Sequence, residues 1–407
     1  MSSIASGLRR ARAADSVAFA LQGFFFAVVL TELPQQQDEF GLSDGLIAGS
    51  IVVVSLLAGG GSVLAEQLAV RWSSRATLRL GLVLISGTGA GIAFAPTTPA
   101  LLAALCCYGV ALGMVDASTN MQAVFIQHGY GTFILASFYA AWSAGSITGA
   151  LFVAGAESLD VPLRETLLAA AILVLIAGAA LGPWLLGTDA AEASTTEQPP
   201  RDALPEVALR AYLAFGIAMA LVFGIDLAVG SFSALYLESD VLGATAATAA
   251  LGLAAYQGSS LLARLTGDRW VRRFGPRRVV RAAAAIGVAG LALVVAAPVP
   301  GVAIAGFLIA GFGLPVIAPL CFGEAGRLAA GPALDSLIAR LNLFNYAGTL
   351  IGGGLVGALA AGAGHRIAFV VPMLFAAALF GLATTFHTRP QTGVETIGGG
   401  GHVSLDK

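Results

Sequence analysis

Apolar residues run along this chain in long blocks, and short polar turns interrupt the blocks. A helix that crosses a bilayer needs about 20 mostly apolar residues. Twelve windows meet that need: residues 14–36, 43–65, 77–95, 100–125, 132–154, 165–187, 208–237, 245–266, 279–297, 300–324, 334–361 and 366–387. Pro96-Thr97-Thr98-Pro99 ends the third window, and Pro298-Val299-Pro300-Gly301 ends the ninth. The first window follows Arg9, Arg10 and Arg12, as in a signal peptide. It closes at Thr31-Glu32-Leu33-Pro34 with no small-x-small cleavage pattern, so it reads as an uncleaved span. Residues 188–207 are rich in Ala, Thr, Glu and Pro and predict a cytoplasmic linker. The pattern therefore predicts an all-α membrane protein with twelve transmembrane helices. They divide into a six-helix half over 1–187 and a second over 208–390, followed by a disordered cytoplasmic tail over 391–407.

Composition supports the membrane reading. Of the 407 residues, 57% are apolar and only 11% are Asp, Glu, Lys or Arg, with a mean hydropathy of +0.86. Soluble domains carry about 25% charged residues. A soluble enzyme, a disordered chain and a nucleic-acid binder are poor fits, and the net charge of −2 gives no polycation for phosphate. The 52 glycines suit close helix approach in a bilayer. Cys106, Cys107 and Cys321 sit in apolar runs, and His128, His365, His387 and His402 are expected in loops or tails. Neither set has ligand spacing, so no metal site is expected. No Gly-Lys-Ser/Thr phosphate loop is present, so ATP is not the expected energy source and no cofactor is implied.

Arginine placement orients the chain. With a cytoplasmic N-terminus, Arg9, Arg10 and Arg12 lie inside. So do Arg71, Arg75 and Arg79, and the run from Arg264 to Arg281. Only Arg164 and Arg366 fall outside, which leaves nineteen of the 21 basic residues inside or at inner helix ends. Both termini are predicted to be cytoplasmic, in the inner membrane of a cell.

The two halves repeat one another. An offset of 202 residues aligns Glu66, Arg71, Arg75 and Arg79 with Asp268, Arg273, Arg277 and Arg281. An offset of 203 aligns Tyr139, Trp142, Ser143 and Ser146 with Asn342, Asn345, Tyr346 and Thr349. Each of these sets follows i, i+3, i+4, i+7, which is one helix face. Gly145 and Gly149 then match Gly348 and Gly352.

With these features the chain resembles the major facilitator superfamily, whose halves are parallel repeats about an axis along the membrane normal. The most specific stretch is Gly267-Asp268-Arg269-Trp270-Val271-Arg272-Arg273-Phe274-Gly275-Pro276-Arg277-Arg278, which matches the family's loop signature. Glu66 through Arg75 is a reduced copy. The resemblance implies that this loop (Glu66, Arg75, Gly267, Asp268, Arg269, Gly275, Arg277 and Arg278) clamps a cytoplasmic gate. Within the superfamily the chain is most similar to the fucose-permease-like bacterial branch. Asp116 followed by Asn120 in the fourth span, Ser137 through Gly145 in the fifth, and Arg264 through Arg269 at the end of the eighth carry that likeness. Four positions depart from that branch, most of them on helices that line the family's central cavity. Val29 replaces a Trp, Glu32 an Arg, Tyr139 a His, and Ser231 an Asp. A sugar substrate is not carried over across them.

A charge at mid-bilayer costs about 2.5–3.5 kcal/mol on insertion scales, so such residues face a cavity or a partner. Gly109, Gly113, Asp116 and Asn120 form one stripe, which makes Asp116 the first candidate for proton coupling; a structural bond between helices is the alternative. Asp226, with Gly230 and Ser233 on its face, and Glu32, near Gln22, Phe25 and Val29, are the other candidates. Asn120, Gln22, Tyr139, Trp142, Asn342, Asn345 and Tyr346 are expected to line a substrate cavity, with helix packing as the alternative. Glu324, Arg327 and Arg340 read as gate or orientation charges.

These residues predict a monomeric secondary transporter whose partners are a small-molecule substrate, protons and the lipid bilayer, and not nucleic acid. Replacement of charged and indole groups by Val, Ser and Phe leans toward efflux of an amphipathic metabolite or drug. Uptake of a small polar solute by proton symport is the close alternative. A receptor or scaffold of the same fold is the rival from another class. A membrane-embedded enzyme would need clustered His, Cys or acids, which the sequence does not show.

Overall fold

A computed structural model describes residues 2–187, 206–239, 242–329 and 331–387. The first half comprises α1 (Ser2–Thr31), the short α2 (Leu33–Phe40), α3 (Asp44–Arg71), α4 (Ser74–Ala93), α5 (Thr98–Tyr130), α6 (Leu135–Ser158) and α7 (Leu163–Leu181). The second comprises α8 (Glu206–Glu238), α9 (Ala246–Phe274), α10 (Pro276–Ala296), α11 (Pro300–Gly313), α12 (Ile317–Ala325), α13 (Pro332–Ala363), the one-turn α14 (His365–Ala368) and α15 (Val370–Leu382). Residues 188–205 of the expected linker and all of the expected tail lie outside the described residues.

The expected breaks are visible as caps. Ser73 and Thr97 accept the N–H groups of Ala76 and Ala100, and Pro276 and Pro300 open α10 and α11, where a missing N–H costs nothing. Gly131 ends α5 with φ 65°, in the left-handed region that favours glycine. Three boundaries differ from expectation. The first span stops at Thr31, and Glu32 starts a separate helix. The tenth is two helices around a 3-10 turn, Leu314–Val316, because Pro315 cannot donate to the helical ladder. His128 lies in the last turn of α5 rather than in a loop.

Among the described residues, ten helical stretches are long and apolar enough to cross a membrane. α6 and α9, at 24 and 29 residues, have the length but not the apolarity. The reason is positional. These two pack on one another between the halves, where Tyr139, Trp142, Ser143, Tyr256 and Arg264 face protein rather than lipid.

Glycines set the packing inside each half. A Cβ on Gly145 of α6 would sit 1.9 Å from the Ala20 carbonyl oxygen of α1. In the repeat, a Cβ on Gly348 of α13 would sit 2.1 Å from that of Ala220 on α8. Gly109 meets the Val54 carbonyl and Gly311 that of Tyr256 in the same relation. Only glycine lets the backbones come this close.

The halves meet at one end. In α3, Ala58, Gly61, Ser62, Ala65 and Ala69 are buried. Between Gly45 and Leu57 no residue with a described side chain is buried. α3 crosses α13 through Ser62–Asn342 and Glu66–Arg340, and α9 crosses α6 through Arg264–Ser143 and Asp268–Ala136. All four contacts lie from the middle of the helices toward their arginine-rich ends. The molecule is closed there, and toward the other end α3 packs on α5 of its own half through Val54 and Gly109.

Candidate functional site

The centre of the structure is a polar layer around Asp116. One carboxylate oxygen, Oδ1, accepts from Gln22 Nε2 of α1 at 3.2 Å and from Asn120 Nδ2 at 3.5 Å. The other, Oδ2, accepts from three groups of α13: Asn342 Nδ2 at 2.9 Å, Tyr346 Oη at 3.0 Å and Asn345 Nδ2 at 3.3 Å. Asn120 in turn accepts from the Tyr139 hydroxyl of α6 at 3.0 Å. Asn342 also donates to Ser62 of α3 at 3.1 Å. Six of the seven expected cavity residues are thus joined in one network that spans both halves. The donors are amides and hydroxyls, so Asp116 has five hydrogen bonds and no cationic partner. The seventh residue, Trp142, stands beside the network, with its ring 5.9 Å from that of Phe26.

The other two acids are elsewhere. Asp226 accepts from the Tyr256 hydroxyl within the second half. Its expected companion Ser233 is buried, and the Ser233 hydroxyl has no partner. Glu32 is buried, but it follows Gln22 by ten residues, about 15 Å along a helix axis. The structure does not bring it to Asp116.

Two buried charges stand outside the expected candidates. Arg264 falls among the inner-end arginines of the sequence, yet it is only 6% exposed. It donates from Nη1 to Ser143 Oγ at 2.6 Å, and its guanidinium lies over the rings of Tyr139 and Trp142 at 5.8 and 6.0 Å. The repeat carried the signal: an offset of 202 aligns Arg264 with Ser62 inside a span, not with a loop arginine. Asp15 of α1 is fully buried, and neither of its carboxylate oxygens has a hydrogen-bond partner among the described residues. It is the second residue of the first window, and no stripe of the sequence includes it.

The loop residues separate into three groups. Glu66 and Asp268 cross between the halves. Glu66 pairs with Arg340 Nη2 at 2.8 Å, and Asp268 Oδ1 accepts the Ala136 N–H at 2.9 Å. Arg272 reaches the Phe133 carbonyl at 2.9 Å, and a Cβ on Gly267 would meet that of Ala136 at 2.9 Å. Arg75 and Arg277 instead stay within their own halves. Arg75 donates to the Gly182 carbonyl at 3.0 Å, and Arg277 to that of Phe386 at 3.0 Å, each at the end of that half's last span. Arg269 and Arg278 are exposed. Gly275 makes the turn between α9 and α10 with φ 81°, open only to glycine at its ψ of 154°. Glu324 pairs with His387 at 2.5 Å, also within one half.

Asp268 lies beyond the membrane-spanning part of α9. Burial pushes its carboxyl up to about 6, against the opposing pull of the Ser137 hydroxyl, Arg272, the Ala136 N–H and Arg12.

The family model of the Major Facilitator Superfamily matches residues 8–150 and 215–406. An uncharacterized transporter of Sinorhizobium fredii is 30% identical over 372 residues, which cover 90% of this chain and 95% of that protein. The Escherichia coli fucose:proton symporter superposes with a TM-score of 0.72 at 19% identity, covering 91% of this chain and 97% of that one. A human organic anion transporter superposes with a TM-score of 0.71 at 16% identity, covering 92% and 99%.

Proposed function

The chain belongs to the major facilitator superfamily, and from that premise we propose that it is a proton-coupled secondary transporter of a small organic solute, working by alternating access. The observation that carries this reading is the sharing of Asp116 between halves. Its Oδ1 is held by α1 and α5, and its Oδ2 by α13 alone. Hydrogen bonds to an ionised acceptor are roughly twice as strong as neutral ones. Deprotonated Asp116 therefore ties α13 to the first half. Protonation removes the charge and occupies an acceptor site, which loosens that tie and lets the halves rock. By the positive-inside rule the closed, arginine-rich end is cytoplasmic, which on this reading makes these contacts the inner gate.

A solute held at this layer would meet amides and hydroxyls on one side and the rings of Trp142 and Phe26 on the other. That mixture suits an amphipathic molecule, and we favour its export across the cell membrane. The density of neutral donors around Asp116 supports the second reading, uptake of a polar solute by proton symport. Flux in proteoliposomes under an imposed pH gradient tests the proposal. Solute movement that follows the gradient in the native protein and ignores it in Asp116→Asn supports it. Movement with unchanged coupling in Asp116→Asn removes Asp116 from the mechanism. Failure of any solute to move rejects transport.

A further inference from the structure

Resting on the transport reading, we propose that the solute is an organic carboxylate and that its carboxylate docks on the free edge of the Arg264 guanidinium. Arginine presents two usable edges. In Arg264 the Nη1 corner is taken by Ser143. Nε is buried with no acceptor, and Nη2 has no hydrogen bond among the described residues. Nε–H and Nη2–H point the same way and together form the fork that fits a carboxylate with two parallel bonds.

A buried guanidinium whose fork is unbonded calls for a counter-charge. Two acids lie in the central region, and neither bonds the fork. Asp226 is within coulombic reach of Arg264 but makes no salt bridge to it among the described residues, and its carboxylate takes the Tyr256 hydroxyl. Asp116 is occupied by five neutral donors. The rings of Tyr139 and Trp142 flank the cation but leave the fork edge unbonded. Arg264 is also the one basic residue that hydrogen-bonds this layer among the described residues. One cation matches one negative charge. A phosphate monoester would bring two charges between Asp116 and Asp226, so a monocarboxylate is the better fit. Trp142 flanks the guanidinium and Phe26 packs on Trp142, an apolar surface for the rest of such a molecule.

The test uses full-length purified protein and two series matched in shape. One is phenylacetate, phenylacetamide and phenethylamine; the other is glucuronate, glucuronamide and glucosamine. The readout is the shift in melting temperature with ligand concentration. A carboxylate in either series should stabilise the native protein, while its amide and amine do not. Arg264→Gln should abolish that shift. Arg264→Lys keeps the charge without the fork and should weaken the apparent affinity about tenfold; it also serves if the Gln variant does not fold. The proposal falls if no carboxylate stabilises the protein, if amide and carboxylate act alike, or if Arg264→Gln keeps the carboxylate shift. Flux in liposomes separates this from failure of the transport reading. A carboxylate shift lost in Arg264→Gln without flux leaves the anion site standing and rejects transport. Flux of neutral solutes alone does the reverse.

Discussion

The carboxylate of Asp268 caps a helix that belongs to the other half: its Oδ1 accepts the N–H of Ala136, in the first turn of α6, at 2.9 Å. α6 has no side-chain cap of its own, since its N-cap position is Ile134. The first N–H groups of a helix need an acceptor, and here it exists only while the halves touch. Asp268→Ala should therefore cost the closed arrangement about 1 kcal/mol, the usual loss for a removed cap. That corresponds to a roughly fivefold rise in the open population at the arginine-rich end. Spin-label distances between exposed positions Arg71 and Arg278 measure it. An unchanged distance distribution would show that the cap does not hold the halves.

Glu66 is the repeat partner of Asp268, and Arg340 stands where the repeat places Ser137. The same crossing is thus closed once by a cap and once by an ion pair. Glu66 is 13% exposed and Arg340 64%, so the pair is worth at most about 1 kcal/mol. Glu66→Arg should open the arginine-rich end, and the exchange Glu66→Arg with Arg340→Glu should restore it. A double-mutant cycle on the same label distance gives the coupling, which should shrink as salt is raised. A coupling near zero at low salt would leave the pair without a gating role.

The raised carboxyl of Asp268 gives the closed end a pH dependence with a definite sign. The closed form holds its proton with a pKa of about 6, against an ordinary value of 3.8 for a carboxyl in water. The closed form therefore binds the proton more tightly, and acidification favours it, beginning as the pH falls through 6 and complete below about 3.8. Arg12, Arg272 and the Ser137 hydroxyl face the group and limit the effect without reversing it. Between pH 7 and 5 the label distance should shift toward the closed value. Asp268→Asn, which still accepts the Ala136 N–H but does not titrate, should flatten that response. Retention of the same pH response in Asp268→Asn would assign it to another group.

Much of this geometry was legible in the chain because it follows from repeats and stripes. The i, i+3, i+4 pattern that put Asn342, Asn345 and Tyr346 on one face is the pattern by which all three reach Asp116. Partners across halves were less legible. Arg75, Arg269, Arg277 and Arg278 read as one cluster, but Arg75 and Arg277 each reach a carbonyl at the end of their own half's last span, while Arg269 and Arg278 face outward. Arg264 was masked by the same logic, since an arginine near a helix end reads as an anchor until its neighbours are known. Asp15 shows no polar stripe in the sequence, and its burial without a hydrogen-bond partner among the described residues is visible only in the structure.

The glycines allow a test of the packing itself. In α6, a Cβ on Gly145 would lie 1.9 Å from the Ala20 carbonyl oxygen, whereas one on Gly155 would meet nothing within 4 Å. Both positions are helical, so their intrinsic preference for Ala over Gly is the same, roughly 1 kcal/mol. The difference between the two substitutions then isolates the helix contact. Gly145→Ala must push α1 from α6 and should destabilise by about 1–3 kcal/mol, as overpacking does. Gly155→Ala should be neutral or slightly stabilising. Gly348→Ala, at 2.1 Å from the Ala220 carbonyl oxygen, should match Gly145→Ala if the halves are packed alike. Thermal melts of the purified variants decide this: equal melting temperatures for Gly145→Ala and Gly155→Ala would mean that α1 and α6 do not depend on the close approach.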